Sequence, residues 1–123
     1  MLGLYKLMAF VGVSDAARAK AFYRDTLGLK LLSEDRFALA FDVQGIMLRV
    51  TPVQDVAPHP YTALGWEVPD IVATAKALEA GGVPLTRYEG FGQDEHGVWT
   101  APDGAKVAWF KDPDGNVLSI SQH

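Results

Sequence analysis

Val13-Ser14-Asp15-Ala16-Ala17-Arg18-Ala19-Lys20-Ala21-Phe22-Tyr23-Arg24-Asp25-Thr26-Leu27-Gly28 has the marks of a helix with both ends specified. Asp15 is a good N-cap, because a short carboxylate can accept from the free N–H groups of the first turn. The Ala-rich run behind it has strong helix propensity. Ala19, Phe22, Tyr23 and Leu27 fall on one face at three- and four-residue spacing. Gly28 stands where a left-handed residue ends a helix. The pattern predicts a helix over 16–27.

Outward from this helix the chain turns β-rich. Residues 4–13 precede it as an apolar strand candidate. Residues 29–33, 37–43 and 46–53 follow, broken by Glu34-Asp35-Arg36 and Gln44-Gly45, which are turn chemistry. Residues 54–60 hold two prolines and little to bury, and read as a linker. The pattern then restarts. Residues 61–68 read as a strand, Asp70 as a second N-cap, and Ile71, Thr74, Ala75 and Leu78 as a second apolar stripe ended by Gly81-Gly82. Strands are expected near 84–88, 97–101, 106–111 and 116–121, with turns at Pro102-Asp103-Gly104 and Pro113-Asp114-Gly115. Val13-Ser14-Asp15 aligns with Val68-Pro69-Asp70 at an offset of 55, and Gly45–Val50 with Gly115–Ile120 at an offset of 70. The difference is absorbed by a longer loop near 89–96. The expectation is one α+β domain over 1–123: a βαβββ unit over 1–53, a linker over 54–60 and a second unit over 61–123. Neither half is expected to bury its sheet face alone, so the mixed sheets are expected to curl around a shared cavity, within one chain or between two.

Composition narrows the function. The chain has 123 residues, 49% hydrophobic and 21% charged, which is ordinary for one globular domain. It has no cysteine, so disulfides, thiolate metal sites and cysteine nucleophiles are excluded. A net charge of −4 without a basic stripe argues against nucleic acid as a partner. No apolar run approaches the roughly 20 residues of a membrane span, and Met1–Phe10 carries Lys6 and no cleavage signal. A cytoplasmic domain with a small-molecule or protein partner is expected.

Two segments resemble a known family. Val13-Ser14-Asp15 with Phe22-Tyr23-Arg24-Asp25-Thr26-Leu27-Gly28 is similar to the opening signature of the vicinal oxygen chelate superfamily, which includes glyoxalase I, bleomycin-resistance proteins and extradiol dioxygenases. Phe110-Lys111-Asp112-Pro113-Asp114-Gly115-Asn116 is similar to its closing signature. The resemblance covers nearly the whole chain and implies two βαβββ units around a ligand cavity. Metal-dependent members carry His or Glu on the first and last strand of each half. The corresponding positions here are Met8, Arg49, Ala63 and Ser119, none a credible ligand for a divalent ion. Their neighbours Leu7, Leu48, Leu64 and Leu118 are no better. The three histidines, His59, His96 and His123, lie in the linker, the long loop and the C-terminus. No metal and no cofactor is expected.

Strand alternation, started from Met8, assigns the cavity-facing residues. They are Met8, Phe10 and Gly12; Met47, Arg49 and Thr51; Ala63, Gly65 and Glu67; and Val117, Ser119 and Ser121. Leu48, Val50, Leu118 and Ile120 then face the helices. The ligand-binding candidates are Met8, Phe10, Met47, Arg49, Ala63, Glu67, Ser119 and Ser121. Trp66, Trp99 and Trp109 are further candidates for pocket or interface. Two readings stand for Arg49. Either it is satisfied by a carboxylate, Glu67 by parity, or by snorkelling to water, or it anchors an anionic ligand with its planar fork. His96 and Glu95, in a polar loop read as mobile, are the candidates for proton transfer.

Three function classes follow. The first is a metal-independent binder of a small molecule, of the bleomycin-resistance type. The second is a lyase, isomerase or dioxygenase of this superfamily that uses Arg49 and His96 or an altered metal site. The third is a protein-interaction domain with a vestigial cavity. The resemblance also implies a homodimer.

Overall fold

The computed structural model describes residues 1–123 and divides into two compact units, Met1–Ala57 and Pro58–His123. The first unit runs β1 (Met8–Val13), α1 (Ala16–Lys20), β2 (Lys30–Glu34), β3 (Leu39–Val43) and β4 (Ile46–Pro52). A single 3-10 turn, Leu2–Leu4, precedes β1. The sheet order is β1-β4-β3-β2, with β1 parallel to β4 and the other pairs antiparallel. Asp15 caps α1 by accepting from the Arg18 N–H at 3.1 Å.

The second half of the predicted helix departs from α geometry. Ala21–Thr26 forms a π-helical segment, in which the Leu27 N–H reaches the Phe22 carbonyl at 2.9 Å. Such widened turns shift side-chain positions along the helix. Here two consecutive aromatics, Phe22 and Tyr23, are both buried, packed edge to face at 5.1 Å. A 3.6-residue pattern cannot distinguish one widened turn from a regular one. Gly28 then takes a φ of +76° and lets the chain leave for β2. The core of this unit joins Tyr23 to Phe41 across the helix–sheet interface, with Val11, Val13, Leu48 and Val50 beside them.

The second unit runs β5 (Leu64–Glu67), α2 (Ile71–Ala80), β6 (Trp99–Thr100), β7 (Lys106–Lys111) and β8 (Val117–Gln122), in the order β5-β8-β7-β6. It repeats the first topology, with β5 parallel to β8. Asp70 caps α2 through the Ala73 N–H at 3.1 Å, and the Gln122 side chain accepts from the Ile71 N–H at 2.9 Å. Ile71, Ala75, Ala108, Phe110, Leu118 and Ile120 are buried, and Trp66 stacks near Phe110. No helix is long and apolar enough to cross a membrane.

The strand expected over 84–88 is absent. One bond, from the Thr86 N–H to the Trp109 carbonyl at 2.7 Å, ties this segment to β7. The Thr86 carbonyl and the Tyr88 N–H go to a side chain instead. The Gln93 amide nitrogen donates to the carbonyls of Thr86 (2.9 Å) and Gly97 (2.8 Å), while its oxygen accepts from the Tyr88 N–H at 2.7 Å. A side chain thus satisfies groups a neighbouring strand would otherwise pair.

Candidate functional site

The first sheet has one face buried and one open, whereas on the second sheet the face of Trp99 and Trp109 is partly open but Val117 and Ser119 on it are buried. In the first unit, cross-strand pairing sets Met8 opposite Met47, Phe10 opposite Arg49 and Gly12 opposite Thr51. Directly paired residues share a face, so these six lie together, away from buried Leu48 and Val50. Met8 is 43% exposed and Phe10 62%. Met8 and Met47 line a hollow of about 240 Å³ with Leu7, Leu32 and Asp42, and Lys6 at its rim.

Arg49 is half-buried on the same face, between Phe10 on β1 and Ala40 on β3. It donates no hydrogen bond and forms no ion pair within its unit. Its guanidinium acts on the Asp35 carboxyl through space. That carboxyl is held below the usual carboxylate range first by the N–H groups of Phe37 and Ala38, against some burial, and then by Arg49 and Arg36. Arg49 therefore keeps its donors unused, on a face rich in exposed apolar surface.

In the second unit Gly65 pairs with Ser119 and Glu67 with Ser121. Ala63 precedes β5 and extends the ladder through its N–H to the Val117 carbonyl at 2.8 Å. Trp109 lies opposite Ser119, and Val107 lies opposite both Ser121 and Trp99, so this face also carries the tryptophans. Four rings gather there. Trp109 meets Tyr88 at 5.5 Å, Phe91 at 5.8 Å and Trp99 at 6.1 Å between centroids, and Phe91 closes the group on Tyr88 and Trp99. The cluster is partly exposed rather than core. Trp66, in contrast, is on the buried face.

Tyr88 and Phe91 escaped the sequence reading, which placed 84–88 in a strand and 89–96 in a polar loop. A usable signal was present. Phe91 is a lone aromatic between Gly90 and Gly92 in that polar loop, and both glycines adopt positive φ.

The loop that carries His96 and Glu95 is tied by several hydrogen bonds. The Arg87 guanidinium donates to the carbonyls of Asp94 and Glu95, the latter at 2.7 Å. The Asp94 carboxylate accepts from the N–H groups of His96 and Val98. Gly97, at φ +80°, passes so close to Leu85 that a Cβ there would lie 2.8 Å from the Leu85 Cβ. Glu95 is 84% exposed at the side chain, with its Oε1 3.5 Å from the His96 Nε2. His96 has no other charged or hydrogen-bonding side-chain partner.

The side chains at the four positions that the resemblance implies for the superfamily's metal ligands do not suit a divalent ion. Met8 offers a thioether, Ala63 nothing, Ser119 a neutral hydroxyl and Arg49 a fixed positive charge. Nowhere do three His, Asp or Glu side chains come together as a metal-binding group.

Asp112 explains the closing signature physically. It is 4% exposed. One oxygen accepts from the N–H groups of Asp114 and Asn116 at 2.9 Å each, and the other from the Asn116 side-chain amide at 2.8 Å. The signature thus locks the β7–β8 turn.

Comparison with known proteins agrees with this architecture. The chain aligns with solved structures of a glyoxalase/bleomycin resistance protein/dioxygenase superfamily member from Sphaerobacter thermophilus (22% identity, 97% of each chain, TM-score 0.75) and a lactoylglutathione lyase from Agrobacterium tumefaciens (17% identity, 96% of this chain and 92% of that one, TM-score 0.73). It also aligns with a superfamily protein from Alicyclobacillus acidocaldarius (18% identity, 97% and 91%, TM-score 0.72). At such identities the likeness shows the fold alone. A search of curated proteins found no match. The family model of the Glyoxalase/Bleomycin resistance protein/Dioxygenase superfamily matches residues 7–120, spanning both βαβββ units and both signatures, and on that match the chain belongs to this superfamily.

Proposed function

We propose that this protein binds small organic molecules with a flat apolar body on the ring-bearing sheet face of its Pro58–His123 unit, without a divalent ion at the superfamily's ligand positions. The ring cluster of Tyr88, Phe91, Trp99 and Trp109 carries the reading. Aromatic rings left partly exposed beside a few polar groups are how small-molecule sites are built. Edge-to-face and tilted packing holds these rings against one another, so a flat ligand meets a surface already ordered. In the Met1–Ala57 unit, Arg49 has unused donors among Met8, Phe10 and Met47 and is a separate anion contact of that face, since a planar fork suits a carboxylate or phosphate.

Trp99 and Trp109 are built-in reporters. A panel of aromatic carboxylates and their neutral amides is titrated against the protein, reading tryptophan fluorescence and melting temperature. Quenching together with a rise in melting temperature is expected. Arg49→Met should reduce the extra rise in melting temperature that the anionic compounds give over their amides, and leave the quenching by the neutral ones unchanged. A protein that neither quenches nor gains melting temperature with any compound overturns the reading. An unchanged extra rise with the anionic compounds in Arg49→Met removes Arg49 as an anion contact. Stoichiometric Ni, Zn, Mn or Fe held by strand residues of the purified protein would favour a metal-dependent enzyme instead.

A further inference from the structure

A second hollow, of about 310 Å³, opens in the Pro58–His123 unit at the end of its partly open sheet face. Its walls include Pro58, Pro60, Tyr88 and Val117, and its two nitrogen-bearing side chains are His59 and Lys111. Lys111 is the last residue of β7 and pairs across the strands with Val117, so it shares the face of Trp109 and Ser119. No carboxylate lines this hollow. Lys111 forms no ion pair or hydrogen bond. Its sequence neighbour Asp112 is buried, accepts from Asp114 and Asn116, and makes no ion pair with Lys111.

The walls are ordered before any ligand arrives. The His59 ring lies stacked on Tyr61, 5.0 Å between centroids and 11° from parallel. Tyr88 is held at its backbone by Gln93 and at its ring by Trp109 and Phe91. The turn bearing Gly115 is locked by Asp112, and Pro58 sits against it. An ammonium without a counter-charge, above fixed aromatic and proline walls, has the features of a receptor for a small anion with a ring attached.

We propose that this hollow is a subsite for small aromatic carboxylates, with the Lys111 ammonium pairing the carboxylate and Tyr88 and the two prolines flanking the ring. The subsite adjoins the ring cluster through Tyr88 but does not involve Arg49.

The test is a titration of the full chain with benzoate, followed by backbone amide shifts in two-dimensional NMR. Benzamide keeps the ring without the charge, and inorganic phosphate keeps a charge without the ring. Benzoate is expected to move the amides of His59, Lys111, Gly115 and Val117. Benzamide and phosphate are expected to bind at least about tenfold more weakly. Lys111→Met should weaken benzoate by about tenfold, whereas Lys111→Arg should hold it within about threefold, since charge rather than fork geometry is what the site uses. Added salt should weaken benzoate as well. Benzamide or phosphate binding as well as benzoate, or unchanged benzoate affinity in Lys111→Met, overturns the proposal. Neutral aromatic compounds that still quench Trp99 and Trp109 while benzoate leaves these amides unmoved overturn the subsite alone and leave the ring-cluster reading standing.

Discussion

Gly65 and Ser119 show how closely a single residue can be specified on a sheet face. A Cβ placed on Gly65 would stand 2.9 Å from the Ser119 Oγ, so a larger residue forces that hydroxyl to move. Gly65→Ala is therefore better tolerated in a Ser119→Ala background than in the wild type, with a coupling of about 1 kcal/mol in a double-mutant cycle of urea midpoints. Additive effects would mean that the hydroxyl rotates away freely. Asp35 gives a second test, on pH. Its carboxyl is held low mainly by the N–H groups of Phe37 and Ala38. A group whose folded value lies below its unfolded value stabilises the fold at neutral pH, and this contribution fades as pH falls through the folded value. Asp35→Asn lacks that contribution. The wild type should thus be the more stable at neutral pH, and the two stability curves should converge as pH falls through the lowered folded value of Asp35. A stability difference constant across pH would assign the effect to something other than ionisation.

Among elements, the segment from Thr86 to Val98 is the one whose order depends on side chains instead of a ladder. Gln93 alone satisfies three backbone groups, on Thr86, Tyr88 and Gly97. Gln93→Ala leaves them to find water and should lower stability by about 2 kcal/mol. Amide exchange at Tyr88 should accelerate, and Tyr88 should lose its fixed contact with Trp109, which alters tryptophan emission. Protection unchanged at Tyr88 would show that the ring cluster orders the segment without Gln93. The π-helical segment over Ala21–Thr26 makes a related point, because its value lies in where it sends Phe22 and Tyr23 rather than in its own bonding.

The whole molecule displays unusual apolar exposure toward its N-terminal end. Leu2, Leu4, Tyr5 and Leu7 are all exposed. Apolar residues clustered in this way mark interaction surfaces more often than bare surface. We propose that they are covered by a second copy of the chain. Sedimentation velocity at micromolar concentration should report a dimer, and Leu4→Asp combined with Leu7→Asp should shift it to monomer. A wild-type monomer under those conditions rejects the assembly.

The helix caps at Asp15 and Asp70, the break at Gly28, the duplicated order of elements and the aliphatic face of each last strand were legible in the residues, because caps, breakers and alternation act over three or four positions. So was the poor donor chemistry at Met8, Arg49, Ala63 and Ser119, since it depends only on which side chains stand there. The widened turn after Lys20, the replacement of a strand by Gln93, and the gathering of Tyr88, Phe91, Trp99 and Trp109 required the folded chain. Each depends on groups that meet through packing, and no local pattern records which loop side chain will reach which strand.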